Sequence, residues 1–150
     1  MTTIRFAAIG LNHGHIYGQV NCLLDAGMEL AWVYAEEPDL LQEFLAQYPT
    51  AKVASSVQEV LNDESIQVIT SASIPVDRAP LGIRVMQNGK DYLVDKPGFT
   101  TLEQLANVRK VQAETKRIYS VFFSEHFAQR ATVKAGELVK AGAIGRVIQT

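Results

Sequence analysis

The chain has 150 residues, 47% of them hydrophobic and 20% charged, which is enough for one domain with a sizeable core. A formal net charge of -2 offers no basic excess to hold a phosphate backbone, which argues against nucleic-acid binding, and no apolar run is long enough to span a bilayer. The single cysteine rules out an internal disulfide, and the opening "MTTIRFAAIG" lacks a signal-peptide layout, so a cytoplasmic protein is expected.

In chain order, "IRFAAIG" has the β-branched and aromatic character of a strand, and "HIYGQVNCLLDAG" carries apolar residues at helical spacing up to Gly27. Cys22 falls inside that helix, where a small buried thiol needs no further role. "MELAWVYA" reads as a strand, "EPDLLQEFLAQYP" as a helix with Pro38 in its first turn, and "SSVQEVLND" as a short capped helix. "IQVITSAS" is a buried strand, and "VDRAPLGIRVMQNG" a helix stopped by Gly89. Pro80 sits awkwardly inside that helix and would suit its first turn instead. "KDYLVDKPG" runs from strand into a proline turn, and "TTLEQLANVRKVQAET" is an amphipathic helix capped by Thr101 or Thr100. A further strand, "RIYSVFF", precedes the helical "EHFAQRATVKAGELVKAG", and "RVIQT" opens another strand.

Strands alternating with crossover helices specify a doubly wound α/β fold built on a parallel sheet. Ligands of such sheets sit beyond the carboxyl ends of the strands. Five places qualify: the turn after Ile9, residues 34–37, 71–75 and 95–97, and the segment from Ser124 to His126.

The first of these, Gly10-Leu11-Asn12-His13-Gly14-His15, occupies the place of a dinucleotide fingerprint, whose glycines let the backbone approach a pyrophosphate at a helix N-terminus. Gly10 holds the first glycine position, Asn12 the second and His15 the third. Asn12 tolerates a left-handed backbone, and the imidazoles of His13 and His15 either reach the cofactor or cap the helix. As a metal site the pair lacks a third ligand on the same turn, so no metal is expected. Glu36 and Glu37, at the end of the second strand, either bind adenosine ribose hydroxyls or simply occupy the first turn of the next helix. With no Arg or Lys beside them in the sequence, NAD is preferred to NADP.

The run "GKDYLVDKPGFTTLEQL" places Asp95-Lys96-Pro97 at the end of the strand it opens with, and "EVLNDESIQVIT" and "ELVKAGAIGRVIQ" flank it at matching places. In these motifs the chain resembles the Gfo/Idh/MocA oxidoreductases over practically its whole length. The resemblance implies an NAD(P)-binding Rossmann domain over residues 1–124. It also implies that residues 125–150 form a connecting helix and the first strand of a missing substrate domain. It further implies that Lys96 positions substrate and tunes proton transfer, with Asp95 and Pro97 near the cofactor and the loop Ser71, Ala72 and Ser73 touching it. The alternative for Lys96 is an exposed lysine in a turn.

Two departures stand out. Where the family often has Thr-Pro-Asn and a downstream histidine, this chain has Ser73, Ile74 and Arg78; where it often has Asn-x-Arg, the chain has Ser124-Glu125-His126. Arg78 either binds an anionic substrate group or lies solvated at a helix end, and His126 either points into the cleft or is structural. The expected activity is hydride transfer between nicotinamide and a secondary alcohol or ketone of a sugar, cyclitol or related polyol, by a homo-oligomer when full length. A noncatalytic dinucleotide sensor or scaffold of the same fold is the competing expectation.

Overall fold

The computed structural model of the protein describes residues 3–124 and 129–149. Its elements, in chain order, are β1 (Arg5–Ile9), α1 (His15–Asp25), β2 (Glu29–Tyr34), α2 (Pro38–Gln47), β3 (Lys52–Val53) and α3 (Val57–Asn62). They continue as β4 (Val68–Ser71), α4 (Pro75–Gln87), β5 (Asp91–Asp95), α5 (Leu102–Thr115), β6 (Tyr119–Phe122) and α6 (Arg130–Lys140). The six strands form one sheet in the order β3-β2-β1-β4-β5-β6, parallel throughout. This is the Rossmann order, and the chain reverses its direction of travel between β1 and β4, where the carboxyl ends open a crevice.

Both faces of the sheet are covered, so its central strands are apolar on alternate and intervening positions alike. In β1, Phe6 and Ala8 face a core shared with Ile16 and Val20 of α1 and Phe44 of α2. Ala7 and Ile9 face the opposite core, with Val60 of α3 and Val85 of α4. Helix starts follow the capping signals: the Ser56 and Thr101 hydroxyls accept from the amides of Glu59 and Gln104, and the Glu59 and Gln104 side chains reach back to the amides of Ser55 and Thr100.

Two expectations about elements are corrected. Pro80 lies inside α4, not in its first turn. A proline has no N–H for the carbonyl four residues back, and here Gln104 Nε2 of α5 donates to the Val76 carbonyl at 3.0 Å in its place. Residues 146–149 form no strand: a single extended segment without a ladder partner gains no sheet hydrogen bonds, and Ile148 is left exposed. Among the described residues no helix is long and apolar enough to cross a membrane.

Candidate functional site

The crevice begins at Gly10, whose φ of +76° is strained for any residue with a side chain. Its amide donates to the Tyr34 carbonyl of β2 and its carbonyl accepts from Ala72 beyond β4, tying three strand ends together. A Cβ on Gly10 would lie 2.6 Å from Ser73 Cβ, so glycine is what allows the two loops to approach. Ser71, Ala72 and Ser73 are buried there, with Ser71 Oγ 3.2 Å from Ser73 Oγ.

On one side of Gly10 a cleft of about 300 Å³ opens between the ends of β1 and β2 and the start of α4; Asn12, Glu36, Glu37, Ser73 and Arg84 are among the residues lining it. Glu37 is the N-cap of α2 but its side chain makes no cap bond; it accepts from Asn12 Nδ2 across the cleft mouth. The acid in the first turn of α2 is Asp39. Arg84 escaped the sequence reading because it lies 47 residues beyond Glu37, on a helix face that looks like an ordinary solvated one. Its Nη2 is 3.5 Å from Gln58 Oε1. The expectation of no basic residue beside the two glutamates is thereby corrected.

On the other side of Gly10, the histidine turn meets the end of β5. His15 Nδ1 lies 3.0 Å from Asp95 Oδ1, and His13 Nδ1 lies 3.7 Å from Asp95 Oδ2. The two imidazoles pack edge to face with centroids 4.2 Å apart. His13 Nδ1 also accepts the His15 amide at 3.2 Å, so this ring does cap the start of α1, whereas the His15 ring turns to the carboxylate. The group brought beside the two histidines is Asp95, 80 residues after His15.

Arg78 is where expectation and structure part most clearly. It is neither solvated nor open to an anion: only 2% exposed, it donates from Nε to the Ser73 carbonyl, from Nη1 to the carbonyls of Asp95 and Pro97, and from Nη2 to Asp95 Oδ2. Burying a guanidinium is tolerable only with its donors satisfied and a counter-charge beside it; the counter-charge and two of the three accepting carbonyls come from the segment that carries Lys96. Lys96 itself is exposed, and its bond to Pro97 is cis. Leu11 is buried under α1. His126, like Glu125, lies outside the described residues.

The family described as oxidoreductases with an NAD-binding Rossmann fold matches residues 4–123. A solved protein of Erwinia carotovora atroseptica SCRI1043, a presumed oxidoreductase, is 46% identical with a TM-score of 0.95, covering 98% of this chain and 44% of that one. The 1-carboxy-3-chloro-3,4-dihydroxycyclohexa-1,5-diene dehydrogenase of Comamonas testosteroni is 24% identical over 96% of this chain and 36% of its own length. The WlbA dehydrogenase of Bordetella pertussis, solved in complex with NADH and UDP-GlcNAcA, shares the fold at 20% identity and a TM-score of 0.81, covering 97% of this chain and 44% of that one. The chain therefore spans between a third and a half of the length of these relatives.

Proposed function

Because the chain belongs to the Gfo/Idh/MocA family of oxidoreductases with an NAD-binding Rossmann fold, we propose that it is the nucleotide-binding part of an NAD-dependent dehydrogenase acting on a secondary alcohol or ketone of a sugar, cyclitol or related polyol. The observation that carries this reading is the crevice at Gly10: a positive-φ glycine with no room for a Cβ, at the strand-order reversal, beside a cleft lined by two carboxylates. Such a turn fits a pyrophosphate at the N-terminus of α1, and Glu36 and Glu37 fit the adenosine ribose hydroxyls. Gly10, Leu11, Asn12, His13 and His15 would hold the dinucleotide from the first turn, with Ser71, Ala72, Ser73, Asp95 and Pro97 from the ends of β4 and β5. A nicotinamide held by these residues would supply the hydride acceptor or donor.

Lys96 stands at the carboxyl end of β5, exposed on a turn whose backbone Arg78 holds from below. In this reading its ammonium hydrogen-bonds the substrate oxygen, orients the carbon that gains or loses hydride, and favours departure of the alcohol proton to a base. Residues 1–124 supply the dinucleotide site, and residues 125–150 lead toward a substrate domain. The sugar-like substrate class draws on the Bordetella relative, solved with UDP-GlcNAcA.

Cofactor choice follows from charge. Two carboxylates in the adenosine cleft repel a 2′-phosphate, whereas Arg84 at the same cleft attracts one. The glutamates outnumber the arginine, so NAD should bind this chain more tightly than NADP. Isothermal calorimetry with each nucleotide checks this. Equal or tighter binding of NADP would hand the specificity to Arg84, and failure of both to bind would refute the dinucleotide reading itself.

A further inference from the structure

We propose that His13, His15 and Asp95 form a binding site for a single divalent transition-metal ion of the zinc and cobalt class. Each of the three offers one ligand atom, and these three atoms lie within 4.8 Å of one another. An ion with bonds of about 2.0–2.1 Å holds neighbouring ligand atoms roughly 3.3 Å apart in a tetrahedron. The observed separations, 3.0 Å from His15 Nδ1 to Asp95 Oδ1 and 3.7 Å from His13 Nδ1 to Asp95 Oδ2, lie on either side of that value, one to each carboxylate oxygen. Two imidazoles and one carboxylate suit a borderline divalent ion; calcium or magnesium would want an oxygen cage that these three residues do not provide.

Hydrogen bonding accounts for only half of the arrangement. His15 Nδ1 donates to Asp95 Oδ1, but His13 Nδ1 accepts the His15 amide and therefore carries a lone pair. That nitrogen and Asp95 Oδ2, which also accepts from Arg78 Nη2 at 3.2 Å, are two acceptors 3.7 Å apart with no hydrogen bond between them, a contact that a bridging cation would make favourable. Binding exchanges the bond from the His15 amide for coordination, which the half-exposed His13 ring can accommodate by turning, and releases the proton held on His15 Nδ1.

The support behind the ligands is that of a built site. Asp95, with a side chain only 2% exposed, is fixed by Arg78 at 3.2 Å, and Arg78 is itself locked by three backbone carbonyls. An outer contact that orients a ligating carboxylate in this way is what tunes metal sites. The histidine side chains are 51% and 41% exposed, so the ion has an entry path and keeps coordination positions open on the solvent side, as three-ligand zinc sites do.

The test uses the purified 150-residue chain, stripped with chelator and free of nucleotide, so its outcome is separate from that of the dinucleotide reading. Titration with cobalt(II) should give visible absorption of a four- or five-coordinate ion saturating at one per chain, and calorimetry with zinc should give the same stoichiometry. His15→Ala and His13→Ala should each weaken binding at least tenfold while circular dichroism stays unchanged. In the parent chain, cobalt should broaden the imidazole proton resonances of both residues, a readout that needs no variant. Absence of saturable binding, or affinity unchanged in both variants with no broadening at either ring, overturns the site.

Discussion

Lys96 has an exposed side chain, and what fixes its place is the turn beneath it: Arg78 bonds the carbonyls on both sides of the lysine and the carboxylate that precedes it. On the proposed reading, holding and reacting are divided between two cations, one buried and one exposed. Surface substitutions away from such clamps usually change stability by no more than about 0.5 kcal/mol. Lys96→Ala should therefore leave the melting temperature of this chain nearly unchanged. In a catalytically competent polypeptide that contains the chain, the same substitution should slow hydride transfer by about 10² or more, the scale at which positioned proton-transfer groups act. Single-turnover measurement of the nicotinamide signal checks this. Undiminished transfer, with chemistry confirmed as the slow step, would remove Lys96 from the mechanism.

Helix α4 carries two residues that a propensity scale would reject, Pro80 and Gly82, and both are explained by what lies beside them. The carbonyl that Pro80 leaves without a donor is met by Gln104, and Gly82 lets the helix lie against two tyrosines. A Cβ there would come within 2.4 Å of Tyr119 and 2.5 Å of Tyr92, two rings that pack edge to face and have little room to give. Gly→Ala within a helix ordinarily gains about 0.5–1 kcal/mol, whereas overpacking a tight core costs about 1–3 kcal/mol. Overpacking wins, so Gly82→Ala should lower the melting temperature by roughly 2–8 °C, which thermal unfolding by circular dichroism would register. An unchanged or higher midpoint would mean that α4 slides freely on the sheet. These contacts also explain what the sequence could and could not disclose. Periodicity, caps and turn glycines are local, and they delivered α1, α2, α3, α5 and the buried strands. β3 is only two residues, too short to carry an alternation. The role of Arg78 was invisible because a lone arginine in a helical run looks the same whether solvated or buried, and its partners lie up to 19 residues away. Arg84 and the third member of the histidine cluster were hidden by the same non-local geometry.

The molecule as a whole has its crevice and a bracing hydrogen-bond cluster at opposite ends of its sheet. The loops at the carboxyl ends hold the crevice, while near the amino ends Asp63 accepts from Trp32 Nε1 at 2.8 Å and from the Ser65 amide and hydroxyl at 2.9 Å and 2.6 Å. The buried Lys90 ammonium donates to the Asp63 and Ile66 carbonyls in the same region, and burial pushes its pKa down. Hydrogen bonds from Ser65 and Trp32 hold the Asp63 carboxyl at about 2, below its usual 3.8. A carboxyl so depressed contributes stability that is complete above about pH 4 and is lost as the pH falls through about 2. Asp63→Ala leaves the indole N–H of Trp32 without its acceptor and should cost about 1–3 kcal/mol at neutral pH. The deficit relative to the parent should shrink as the pH approaches 2, with nucleotide affinity unaltered throughout, and denaturant unfolding across pH beside nucleotide titration would test both halves. A constant deficit, or a parallel loss of affinity, would show the two ends to be coupled. The crevice also has a consequence in time. His15 and the carboxylate it meets are 80 residues apart, and at synthesis rates of about 5–20 residues per second roughly 4–16 s pass between the making of one and the making of the other. Until β5 leaves the ribosome and docks, the nascent chain has its glycine turn but not this pairing, so ligands that depend on it cannot assist the early stages of its folding.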